Sequence, residues 1–133
     1  MIGLLAVDQI SKYFFYDQEL WSSSSFLEPF LNTGISRGIA MPQLLIIGIA
    51  FFCVLLFVYV YHKSYLTLWE VSLFMAGTIG NLIDRCFLGG VRDFVALGNF
   101  PIFNMADAFL TAAVILLCIR EFLLLQRRKK RVS

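Results

Sequence analysis

The stretch FPIFNMADAFLTAAVILLCI, residues 100–119, decides the fold. It is almost wholly apolar and long enough to cross a bilayer as a helix, which takes about 20 such residues. Yet Asn104 and Asp107 stand at its start. With Thr111 they follow i, i+3, i+7, so one stripe of this helix is polar. Asp107 lies three residues in, about 5 Å below the helix start at about 1.5 Å per residue. A charge at the bilayer centre costs about 2.5–3.5 kcal/mol on insertion scales and less near the interface. An acid at this depth is therefore tolerable if it faces protein or water.

The rest of the chain agrees with a membrane protein. Of 133 residues, 59% are hydrophobic and 15% charged, against about 45–50% and about 25% in soluble domains. PQLLIIGIAFFCVLLFVYVY, residues 42–61, carries no charge. A further span runs over about 66–85 with one acid, Glu70, and the last over about 104–125. The N-terminal run 1–16 is read as a first span. It is short, holds Asp8 and Lys12, and its inner end is expected to begin upstream of Met1. A signal peptide fits it poorly, since it has no basic leading region and no A-x-A cleavage site. Asp8 and Lys12 are i, i+4 and can pair on one face.

Loops rich in Lys and Arg stay in the cytoplasm. Gln126-Arg127-Arg128-Lys129-Lys130-Arg131 within the tail 126–133, and Lys63 in the link between the second and third spans, fix one side as inside. Both termini are then cytoplasmic. Loops 17–41 and 86–103 lie outside, the first opening with Trp21-Ser22-Ser23-Ser24-Ser25. Neither reads as a linker, so a single domain over 1–133 is expected.

This topology gathers polar residues from three separate stretches near the outer surface: Asn32; Asn81, Asp84 and Arg85; Asp93; Asn104 and Asp107. In the third span Gly77, Asn81 and Asp84 or Arg85 share a face, the small-and-polar kind that marks helix contacts. Each acid also has a plain reading. Asn104 with Asp107 three residues on resembles a helix cap worth about 1 kcal/mol. Asp84 beside Arg85 reads as an ion pair that organises the loop, Asp93 as a loop charge, and Glu70 as a structural acid near the inner end of its span.

Several chemistries are not supported by the residues present. Three cysteines, Cys53, Cys86 and Cys118, have no paired spacing, and the one histidine, His62, has no metal-ligand pattern around it. There is no Gly-rich phosphate loop and no G-x-S-x-G turn. Neither metal nor cofactor is expected. Two aspartates remain for hydrolysis. Carboxyls held close together cannot both ionise easily and share a proton. One then serves as general base to water while the other donates to the substrate carbonyl.

With these residues in view, the sequence resembles the lipoprotein signal peptidases, the type II signal peptidases of bacteria. Four blocks carry the resemblance: Val7-Asp8-Gln9-Ile10-Ser11-Lys12; Asn32-Thr33-Gly34; Gly80-Asn81-Leu82-Ile83-Asp84-Arg85 through Gly89, Val91, Asp93 and Phe94; and Phe100-Pro101-Ile102-Phe103-Asn104-Met105-Ala106-Asp107. The resemblance implies an aspartic endopeptidase of the bacterial cytoplasmic membrane that cuts prolipoproteins just before the diacylglyceryl-modified cysteine. It implies Asp93, in a V-x-D-F block, and Asp107 as catalytic. Asn32, Gly34, Asn81, Arg85 and Asn104 are implied as substrate-placing and supporting, and Asp8, Lys12 and Asp84 as structural. The implied fold is an all-α membrane protein of four transmembrane helices with a small extracytoplasmic β-cradle and half-helix. Prolipoproteins and membrane lipid are the implied partners, with inhibition by globomycin-type cyclic peptides. No nucleic-acid partner is expected, and a monomer suffices.

Two departures accompany the resemblance: the short N-terminus, and Arg37 in Asn32-Thr33-Gly34-Ile35-Ser36-Arg37-Gly38, where the family commonly has an aromatic. Two rival readings remain: a small four-helix multidrug transporter working through Glu70, and a non-catalytic assembly subunit.

Overall fold

The computed structural model describes residues 1–17, 26–34 and 41–132, with side chains as far as Lys130. The serine run after Trp21, and Arg37, lie outside the described residues. In chain order the elements are α1 (Ile2–Lys12), a π-helical turn (Tyr13–Asp17), β1 (Leu27–Asn32), α2 (Gln43–His62), α3 (Leu68–Leu88), β2 (Val91–Val95) and α4 (Met105–Val132).

Among the described residues three helices are long and apolar enough to cross a membrane: Gln43–His62, Leu68–Leu88 and Met105–Lys130. They match the second, third and fourth expected spans. The expected first span is shorter: α1 has 11 residues, extended by the five-residue π turn. The tail expected after residue 125 is not a separate segment, because α4 continues to Val132. Gln, Arg and Lys are good helix formers, no Gly or Pro interrupts them, and cations near a helix C-terminus suit its dipole.

The middle of the bundle is α3. Its N-terminus carries a capping box. Thr67 Oγ1 accepts from the Glu70 N–H at 3.3 Å, and Glu70 Oε2 accepts from the Thr67 N–H at 2.7 Å. Glu70 also pairs with Arg120 of α4 at 2.6 Å, and Arg120 donates to the Tyr65 carbonyl at 2.6 Å. The structural reading of Glu70 is thus accounted for by named partners. Above this staple, Val71, Phe74 and Ala113 pack with Leu66, and Phe57 of α2 stacks on Phe74 at 4.5 Å between ring centres. By contrast α2 buries only Ile46 and leaves Leu44, Phe51 and Phe52 bare. A helix apolar all round belongs in lipid or a protein core.

The far end of α3 stops at Gly89, whose φ of 71° is left-handed and suits glycine. The chain then turns into β2, which pairs antiparallel with β1: Phe30 opposite Asp93, Leu31 opposite Arg92, Asn32 opposite Val91. A register irregularity separates Leu27 from Phe30, and an isolated bridge joins Val95 to Phe103. This two-stranded sheet is the cradle that the resemblance implies. No half-helix occurs among the described residues.

Close approach of α3 to α4 rests on Gly77. A Cβ there would stand 2.6 Å from the Ala106 carbonyl oxygen and 2.6 Å from Leu110 Cγ. The carbonyl is backbone in the first turn of α4 and cannot step aside alone. Gly77→Ala is therefore expected to cost about 1–3 kcal/mol, read as a lower thermal unfolding midpoint in detergent. An unchanged midpoint would mean that the two helices do not pack this tightly.

Candidate active site

The local build begins at the start of α4. Asn104 is its N-cap. Asn104 Oδ1 accepts from the Asp107 N–H at 3.1 Å, and Asp107 Oδ2 accepts from the Asn104 N–H at 3.2 Å. This is the reciprocal cap expected from spacing, with an acid at the third helical position. A second orphan donor of the first turn, the Ala106 N–H, is taken by Asp8 Oδ1 at 2.9 Å. Capping and site construction turn out to be one arrangement rather than alternatives. The same Asn104 side chain donates from Nδ2 to Asp93 Oδ1 at 2.6 Å and to Asn81 Oδ1 at 3.1 Å. Asn104 is fully buried and has every polar atom of its side chain engaged.

Asn81 makes a second link. It donates from Nδ2 to Asp107 Oδ1 at 2.8 Å, and its Oδ1 also accepts from Lys12 Nζ at 3.1 Å. On the sheet, Asn32 donates from Nδ2 to Asp93 Oδ2 at 3.0 Å while its Oδ1 accepts from the Gly34 N–H at 3.1 Å. The Gly34 carbonyl accepts from Arg85 Nη2 at 3.1 Å. The structure therefore brings together all the sequence-derived site residues: Asn32, Gly34, Asn81, Arg85, Asp93, Asn104 and Asp107. All four oxygens of the two aspartates accept a hydrogen bond.

Asp93 and Asp107 line one cleft of about 910 Å³. Asn32, Asn81 and Arg85 line it too, and Arg85 Nε has no hydrogen-bond partner among the described residues. Its remaining walls are mostly apolar: Phe30, Leu97 and Phe100 beside the sheet, and Ala108, Ala112 and Ile115 down α4. From Asp107 to Ile115 is eight residues, about 12 Å along the helix. Burial, and then the neighbouring Asp107 carboxylate, push Asp93 up to about 7; the bonds from Asn32 and Asn104 and the charge of Lys12 pull the other way.

Beneath the cleft lies a buried charge cluster. Lys12 is fully buried, 2.9 Å from Asp8 Oδ2 and 3.3 Å from Asp84 Oδ2. The i, i+4 pairing of Asp8 and Lys12 is as expected. The expected Asp84–Arg85 pair is not formed. Asp84 takes Arg92 at 2.9 Å and Lys12 instead, while Arg85 turns towards Gly34. Consecutive helix residues point about 100° apart and do not face each other, so the two side chains serve different surroundings. Arg92 itself is absent from the sequence reading. Its one signal is alternation: next to Asp93 on a strand, it must project from the opposite face.

Residues 1–123 match the family described as signal peptidase (SPase) II. The chain is 34% identical to a lipoprotein signal peptidase of Rickettsia akari (strain Hartford) over 136 residues, covering 88% of this chain and 69% of that one. A lipoprotein signal peptidase of Dehalococcoides mccartyi (strain ATCC BAA-2266 / KCTC 15142 / 195) is 60% identical over 45 residues, 34% of this chain and 28% of that one. Among solved structures, a bacterial membrane enzyme determined by the in meso method at 2.3 Å resolution superposes with a TM-score of 0.80. It is 30% identical, covering 91% of this chain and 84% of that one.

Asn104 contributes to stability in two separable ways. Asn104→Ala is expected to cost about 1–2 kcal/mol through the lost cap and the lost donor to a buried acid. Asn104→Ser keeps an acceptor for the Asp107 N–H and should recover the capping part. Thermal unfolding of both variants checks this; equal midpoints would deny that Asn104 caps α4.

Proposed function

Because the chain belongs to the signal peptidase II family, we propose that it is an aspartic endopeptidase that removes signal peptides from diacylglyceryl-modified prolipoproteins, cutting just before the lipidated cysteine. Family and apolar helices together make it a bacterial multi-pass membrane protein. In our reading it is one protease domain over 1–133, and α1 with its π turn supplies a fourth crossing. The basic residues of α4 then put both termini in the cytoplasm, and the sheet and cleft face outward.

One observation carries the mechanism: Asp93 and Asp107 line the same cleft, and one residue, Asn104, bonds both carboxylates, Asp93 through its side-chain amide and Asp107 through its backbone N–H. In this reading the two carboxyls share one proton. Asp93, which burial and the Asp107 charge push up to about 7, starts as the proton donor and Asp107 as the base, the pair titrating as a unit. Asp107 takes a proton from water, whose oxygen attacks the scissile carbonyl carbon, while Asp93 gives its proton to the carbonyl oxygen. The resulting gem-diol collapses as Asp107 protonates the leaving nitrogen and Asp93 recovers a proton from one hydroxyl. Asn32 and Asn104 hold Asp93, Asn81 holds Asp107, and Arg85 donates to the backbone of the substrate. The apolar walls beside the sheet and along α4 take the signal peptide and the acyl chains. That position keeps the lipid in the bilayer while the scissile bond meets the dyad.

Cleavage of a lipidated prolipoprotein peptide by the purified protein tests this. Asp93→Asn and Asp107→Asn are each expected to lower kcat by about 10³-fold or more, with the thermal midpoint little changed. Glu70→Gln should keep turnover, since its partners lie at the other end of α3. Full turnover in either aspartate variant would reject the dyad, and loss confined to Glu70→Gln would favour transport.

The pH dependence follows in sign. A raised Asp93 stays protonated up to about pH 7, so kcat/KM should fall above that as the shared proton leaves. At low pH a second limb should fall as the other carboxyl protonates, because the pair titrates as a unit. A rate still climbing through pH 8 would contradict a shared proton.

A further inference from the structure

The mechanism above leaves Arg92 unused, although it directly precedes Asp93. On β2 the two side chains take opposite faces: Asp93 looks into the cleft and Arg92 looks back into the bundle. Arg92 grips Asp84 with a fork, Nε to Oδ2 at 3.3 Å and Nη2 to Oδ1 at 2.9 Å, and its backbone N–H donates to Asp84 Oδ2 at 3.0 Å. Nη2 also donates to Gln9 Oε1 at 3.0 Å, and Nη1 to Asp17 Oδ2 at 2.5 Å. One side chain thus ties β2 to α3, to α1 and to the π turn. The residue after Asp93 adds a packing tie, with the Phe94 ring 5.4 Å from that of Phe15 in the same turn.

Asp84 also receives Lys12, and Lys12 reaches Asn81, which holds Asp107. A continuous chain of contacts therefore runs beneath the cleft from the strand of one acid to the helix of the other. We infer that Arg92 is a positioning residue: through its fork on Asp84 it sets where Asp93 stands relative to Asp107. The inner fork does this, since Asp84 is fully buried, whereas Asp17 is partly exposed and solvent weakens its pairing. Arginine suits the task because its planar fork binds a carboxylate at two points, which lysine cannot do.

The inference rests on the dyad reading, and the experiment separates the two. Steady-state cleavage of the lipidated peptide and thermal unfolding would be measured for Arg92→Lys, Arg92→Gln, Asp17→Asn and Asp93→Asn. Misplacement of a reacting group by about 1 Å can cost about 100-fold. Arg92→Gln should therefore lose about 100-fold in kcat with KM within about twofold, and Arg92→Lys, which keeps charge without the fork, about tenfold. Asp17→Asn should stay within about threefold of the parent.

A folded Arg92→Gln with kcat within about twofold of the parent would overturn the inference, as would a KM that rises in step with the loss. If Arg92→Gln does not fold, Arg92→Lys decides by the same criteria. A loss in Asp17→Asn equal to that in Arg92→Gln would shift the anchor to the rim and overturn the role of the fork. Parent-level turnover by Asp93→Asn would instead remove the dyad, whatever the Arg92 variants do.

Discussion

The Lys12 ammonium, buried with no exposed surface, is the constraint on which the rest of the structure depends. Taking such a charge from water is costly, and removing one partner from a buried ion pair commonly costs about 3–5 kcal/mol. Lys12 is compensated from two helices at once: Asp8 on its own helix, and Asp84, the Asn81 amide oxygen and the Gly80 carbonyl on α3. Those bonds require α1 and α3 to lie in one register. Gly80 makes the approach possible, since a Cβ there would collide with the Asp8 carboxylate. Asp8 then uses its second oxygen to cap the Ala106 N–H, which fixes the start of α4 against the same helix. Three helices are thereby referenced to one cation.

From that reference point the site follows with little freedom. Asn81 and Asn104 act as rigid two-sided connectors, each accepting on one side and donating on the other, so that neither aspartate is held by its own element alone. Two buried acids, Asp8 and Asp84, balance two bases, Lys12 and Arg92, directly below the cleft. That balance lets the fold hold Asp93 and Asp107 without a large local excess of one charge. Apolar side chains also cluster at the other end, around Phe74 and Ala113, where α2, α3 and α4 meet.

Much of this is legible in the residues. Three spans emerge from runs of apolar residues because a bilayer demands length and lack of charge, both one-dimensional properties. Asn104, Asp107 and Thr111 declare a polar stripe through helical spacing, and Asp8 with Lys12 declare a pair in the same way. The expected first span is less legible, since 11 helical residues and a π turn with two buried charges do not look like a crossing. Asp84 with Arg85 misleads, because neighbours in sequence point apart on a helix. Arg92 is invisible, since nothing local tells which carboxylate lies behind a strand.

By itself the sequence determined the class, the long spans, the capping box of α4 and the family, each written in spacing along one segment or in short ordered motifs. Only the tertiary structure decided which partners close the buried charge cluster, that Asn104 serves the helix cap and Asp93 together, and that both aspartates share a cleft. The reason is physical: hydrogen bonds and ion pairs between residues on different elements, from 8 to 98 positions apart, depend on how helices and strands are set against one another. No local periodicity encodes that setting.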